Sequence, residues 1–232
     1  MTDAAAGAMP TVKIDVKMVA SRYSLVAQFL CSSAQFARRC VDIERIITPD
    51  ELLQTEHLGL VTAAIMQCVA AVEANSAEVI THGPGSHLGS LADTEETRAF
   101  LAPLDEFIDN RREPLKRYKL ILHLLRKPPL IEGEQPWQVM QTLVRLRNGL
   151  THHKSKWREE VEENSPFQLL QDLSLPKRPF VFSTSNFLSE QCLNAACAAW
   201  SVRTAVASVN KFYDQLGIDS PLTPHMAQFK DL

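Results

Sequence analysis

The sequence predicts an all-α protein, a helical bundle of about five to seven helices with long antiparallel members. Three observations point to it. Apolar residues recur at three- and four-residue spacing over several long segments. Proline and glycine fall between those segments more than inside them. The one clearly alternating stretch, Val12, Ile14, Val16 and Met18 set against Lys13, Asp15 and Lys17, has no second alternating segment to pair with. With 232 residues, 45% of them hydrophobic, the chain can bury a sizeable core.

The elements follow in order. Residues 1–19 are expected to form an N-terminal arm, frayed at its small, polar start and extended over the alternating stretch. Residues 20–217 form the helical domain and residues 218–232 a tail. A first helix is predicted from about Ser21 to Arg45, with Leu25, Phe29, Leu30, Phe36, Cys40, Val41 and Ile43 at helical spacing. Thr48, Pro49 and Glu51 then read as a capping box with proline in the first turn. The helix they open runs about 30 residues, until Gly83 and Pro84 stop it. A third helical region extends from Thr94 towards Arg126, interrupted at Pro103 and Pro114. After the turn segment KPPLIEGEQP, Pro136 opens another helix. Ser165-Pro166 is a break, a short helix lies near Phe167 to Leu173, and a last helix runs from about Asn186 to Leu216. Gly217 ends it, and its alanine face (Ala195, Ala196, Ala198, Ala199) permits close helix contact.

Composition narrows the function classes. The apolar run from Leu58 to Val72 is shorter than a bilayer needs, and no secretory signal opens the chain, so a cytoplasmic protein is expected. Cys31, Cys40, Cys68, Cys192 and Cys197 form no C-x-x-C pair and lie in apolar patterns, which predicts reduced, packed thiols and no zinc site. His82 and His87, beside glycines, read as loop punctuation, because no phosphate-loop lysine follows. No metal or cofactor site is expected. Net charge is −3, yet Arg111 to Arg158 holds 12 Lys or Arg against 3 acidic residues, a local +9. Such a stretch either solvates a helix face or attracts phosphates, since screening in cellular salt acts over roughly 8 Å.

Inside that stretch lies LVRLRNGLTHHKSKW, residues 143–157. On an ideal helix Val139, Leu143, Leu146 and Leu150 share an apolar arc, and Arg147 falls within it. A guanidinium keeps its charge, so there it needs a carboxylate, a partner chain or a bound anion. Asn148 and His152, four residues apart, share a neighbouring face, while Arg147 and His152 diverge by roughly 140°. Local bending, the helix end or a second copy of the chain has to close that gap. Gly149 weakens the helix by about 1 kcal/mol relative to alanine and favours the first two.

The segment RNGLTH, residues 147–152, resembles the R-x4-6-H motif of the HEPN family (higher eukaryotes and prokaryotes nucleotide-binding). The upstream AAIMQCVAAVEANSAEVI is similar to the long helix with internal Glu and Asn found in many of its bacterial members. The resemblance, over residues 20–216, implies a helical bundle that commonly dimerises, with two motifs facing a shared cleft. It implies metal-independent RNA cleavage in active members, and a toxin or defence effector held in check by a cognate inhibitor protein. Arg147, Asn148 and His152 are then the expected catalytic residues, with His153 as the alternative histidine, since it also fits the spacing. Glu73 is expected to support the site by neutralising Arg147, and Arg145, Lys154 and Lys156 to bind phosphate. The histidine suits proton transfer near neutral pH, and the arginine suits charge building on phosphoryl oxygens. Two other readings use the same residues. One is an inactive RNA, nucleotide or protein binding module on the same fold. The other is structural: a buried ion pair at Arg147, with His152 and His153 at the helix end where positive charge suits the dipole.

Overall fold

Which face a helix buries is set by the spacing of its apolar residues, and the computed structural model shows those faces meeting. It describes residues 24–46, 49–86, 99–101, 114–131, 133–152 and 193–232. Among them every regular element is helical: α1 (Leu25–Glu44), α2 (Glu51–His82), α3 (Pro114–Leu124), α4 (Trp137–Thr151), α5 (Ala195–Leu216) and a C-terminal 3-10 helix (Thr223–Phe229). Residues 99–101 are also helical. The expected N-terminal arm and the short helix near Phe167 to Leu173 lie outside the described residues.

α1 and α2 form an antiparallel hairpin. Ser24, at the start of α1, donates to Glu78 near the end of α2 at 2.9 Å, and Arg39 meets Glu56 at 2.8 Å. The cap of α2 is Asp50 and not Thr48: its carboxylate accepts from Leu53 N–H at 2.8 Å, and Thr48 lies outside the described residues. A carboxylate suits that position because the helix start is electropositive. Gly83 ends α2 with φ 84°, a backbone geometry that a residue with a Cβ rarely adopts. Val61, Ile65, Cys68, Val69 and Val72 of α2 are fully buried in the core with Val26, Leu30, Ala34 and Ala37 of α1. α2 is, among the described residues, the one helix long and apolar enough to cross a membrane. Its core packing against α1 and α5 gives those apolar side chains a use inside the fold.

α5 completes the central layer, antiparallel to α1 and parallel to α2. Its first N–H, on Ala195, donates to Glu44 at the end of α1, and Tyr213 near its other end donates to Asn75 of α2. The helix begins at Ala195, later than the periodicity suggests. Leu193 and Asn194 are bent, and the Asn194 side chain caps the helix by accepting from Cys197 N–H at 2.8 Å. Small residues let α5 approach its neighbours: Ala195, Ala198, Ser201, Ala205 and Ser208 are buried. Ser201 and Ser208 bond back to carbonyls of Cys197 and Thr204, so no buried hydroxyl of theirs is orphaned. Gly217 stops the helix in the left-handed region at φ 76°.

α3 and α4 lie against this layer. Tyr118 of α3 stacks on Phe212 of α5 at 4.0 Å between ring centres and meets Trp137 of α4 edge-on at 6.0 Å. Cys40, Cys68 and Cys197 are buried and Cys31 half-buried, packed among the helices; Cys192 lies outside the described residues. Burial pushes the Cys68 thiol up to about 12.

Candidate functional site

α4 positions the motif. Trp137, Met140, Leu143, Val144 and Leu146 are buried, and Val139 and Leu150 pack against the core, so the apolar arc faces inward. The helix runs antiparallel to α2, which carries Glu73 opposite Arg147 and Met66 opposite Thr151. Arg147 Nη2 donates to Glu73 Oε1. Of the three ways to satisfy a cation in that arc, the structure provides the carboxylate. The pair is not sealed in the core: the side chains retain 23% and 41% of their exposure.

The other motif residues point elsewhere. α4 is helical through Gly149 to Thr151, and His152 is its C-cap, with its N–H bonded to the Asn148 carbonyl at 2.9 Å. No bend at Gly149 brings His152 round to Arg147, so the separation of roughly 140° on the helix wheel stands within one chain. Asn148 and His152 are both exposed. His153, Lys154 and Lys156 lie outside the described residues.

Asn148 and Arg145 line a cleft between α3 and α4 of about 290 Å³. Lys116 and Lys119 face it from α3, and Gln141 joins Arg145 and Asn148 from α4. Leu115, Val144 and Leu130 supply its apolar lining. Neither Arg147 nor Glu73 is among those residues. The helical spacing 116/119 and 141/145/148 marks each row as one face, but only the docking of α3 and α4 on α2 and α5 brings the two rows together. The sequence assigns the whole stretch from Arg111 to Arg158 to solvent or phosphate and carries no signal for Gln141.

Two polar clusters between helices, one buried and one partly buried, carry no signal in the sequence. Asn75 donates to the Tyr118 hydroxyl at 2.6 Å and accepts from Tyr213 at 3.0 Å, joining α2, α3 and α5. Burial raises both tyrosines; Asn75 opposes the shift at Tyr118, and Glu78 adds to it at both. Glu44 Oε1 lies 2.8 Å from His57 Nε2 and also accepts from Ala195 N–H at 2.7 Å, joining the ends of α1, α2 and α5. The Asn75 cluster places its polar atoms inside the bundle, and the Glu44 cluster sits partly buried where three helix ends meet; both specify packing.

No protein-family model, curated protein or solved structure matches this chain.

Proposed function

We propose that the protein is a HEPN-like, metal-independent endoribonuclease that acts as a homodimer. One observation carries the reading: the arginine of RNGLTH sits partly exposed on the α2–α4 surface and is held there by Glu73. A phosphodiester can replace that carboxylate, since both present oxygens that accept from a guanidinium. His152 ends the same helix, exposed to solvent. Because the two side chains leave α4 on different faces, the cleft needs two copies of the chain, each bringing one motif.

In that cleft an RNA 2′-hydroxyl attacks the adjacent phosphorus and gives its proton to the His152 imidazole. The 2′-O–P bond forms and the P–O5′ bond breaks, and the leaving 5′-oxygen takes a proton. The products are a 2′,3′-cyclic phosphate and a 5′-hydroxyl. Arg147 stabilises charge on the phosphoryl oxygens, and Asn148 orients the phosphate or the imidazole. The activity fits a toxin or defence effector restrained by an inhibitor protein.

The test is incubation with mixed RNAs in EDTA, followed by analysis of the ends. The expected outcome is 2′,3′-cyclic phosphate ends, with rates falling about 10²–10³-fold in Arg147→Ala and about 10²–10⁴-fold in His152→Ala. Full activity in His152→Ala with loss in His153→Ala moves the proton-transfer role one residue on. The second reading, a binding module without catalysis, draws on the ion pair that occupies Arg147 and on its distance round the helix from His152. RNA binding with no cleaved ends selects it.

A further inference from the structure

We infer that Met66 of α2 is a reversible oxidation site: a peroxide converts its thioether to a sulfoxide, and the Thr151 hydroxyl then ties the end of α4 to α2. Of the six methionines in the sequence, Met66, Met140 and Met226 fall among the described residues. Met140 is fully buried, and Met226 packs against the core. Met66 is half-buried and lies outside the core cluster. Its sulfur instead meets Thr151 Oγ1 at 3.7 Å, in a contact open to solvent.

The Thr151 hydroxyl is the moving part. It has one proton and two acceptors, the Arg147 carbonyl at 2.9 Å on its own helix and the Met66 sulfur on α2. A thioether is a weak acceptor, so the carbonyl holds the proton while Met66 is reduced. A sulfoxide oxygen is strongly polar and extends beyond the sulfur, so oxidation draws the proton across the seam. With hydrogen peroxide the step balances. A sulfur lone pair takes one oxygen, the O–O bond breaks, and the proton on the transferred oxygen passes to the departing hydroxide, which leaves as water. Sulfur loses two electrons and the peroxide gains them. A methionine sulfoxide reductase removes the oxygen again. Met66 lies two turns before Glu73 on one face of α2, and Thr151 lies one turn beyond Arg147 and next to His152. The oxidation state of Met66 therefore sets how firmly the last turn of α4 is held.

Hydrogen exchange reads this tie whether or not the protein cleaves RNA, so the inference and the enzyme reading fail separately. The full chain is treated with hydrogen peroxide, and each methionine is followed by peptide mass spectrometry. Met66 is expected to gain oxygen at least about tenfold faster than Met140, which solvent does not reach. Its sulfoxide is expected to slow amide exchange over residues 149–152 about fivefold, as for one added hydrogen bond. Thr151→Val keeps the side-chain shape without the hydroxyl, and in that variant oxidation of Met66 leaves exchange unchanged. Met66→Leu has no sulfur to oxidise and does not respond to peroxide. The methionine sulfoxide reductases, one for each epimer, restore the original exchange in the wild type. The inference is overturned if Met66 oxidises no faster than Met140, or if its sulfoxide leaves exchange unchanged or faster. A response in Thr151→Val or Met66→Leu equal to that of the wild type overturns it too, as does a failure of the reductases to restore exchange. Slowed exchange without RNA cleavage keeps the switch and removes the enzyme reading, and cleavage with unchanged exchange does the opposite.

Discussion

A guanidinium is a fixed charge in proteins, so the surroundings of Arg147 decide what that charge does. With Glu73 in contact the net local charge is near zero, and an incoming phosphate has to displace the carboxylate. Glu73→Gln tests this at the residue scale. Because both side chains are partly open to water, the lost pair costs below about 1 kcal/mol of stability. RNA affinity rises, since Arg147 then meets phosphate without a competing carboxylate. Urea midpoints and RNA binding read the two effects separately. A loss above about 2 kcal/mol with unchanged RNA affinity makes the pair a structural tie and nothing more.

At the scale of elements, local pattern carried most of the reading where a helix is amphipathic. α1 and the end of α2 were legible because Leu30, Cys40 and Ile43 repeat at helical spacing and Gly83 can only stop a helix at φ 84°. The start of α2 was read two residues early. TPDE offers two capping side chains, and Thr48 with Glu51 makes the familiar box, but the carboxylate of Asp50 takes the Leu53 N–H. Likewise the alanine-rich run gave α5 its face but not its first residue, which the Asn194 side chain sets. Asp50→Ala is therefore expected to lower stability by about 1 kcal/mol, while Thr48→Ala changes it by less than about 0.5 kcal/mol. Equal losses from the two variants, in matched thermal or urea melts, return the cap to Thr48.

On the scale of the whole molecule, periodicity finds helices but does not say which of them meet. Glu44 ends α1 and His57 lies in the second turn of α2, and nothing in their spacing predicts that Ala195 shares the same carboxylate. The α3–α4 cleft was hidden for the same reason: its two rows lie on different helices. The Asn75–Tyr118–Tyr213 cluster is the clearest case, three residues far apart in sequence that tie α2, α3 and α5 together. It gives the bundle an alkaline limit. Burial raises both tyrosine hydroxyls, so the folded state holds their protons above pH ~10, where an unfolded tyrosine releases its own. Their contribution to stability is complete below that pH and declines as pH rises past it towards the higher folded values. The slope is at most about 1.4 kcal/mol per pH unit for each tyrosine. Tyr118→Phe removes one of the two titrations but leaves the Asn75 amide without its buried acceptor, which costs about 1–3 kcal/mol at pH 7. The variant is thus less stable than the wild type near neutrality, and its stability falls about half as steeply between pH 10 and 11. Urea unfolding at pH 7, 9, 10 and 11 measures both, and parallel slopes in the two proteins show that Tyr118 is not a buried neutral tyrosine.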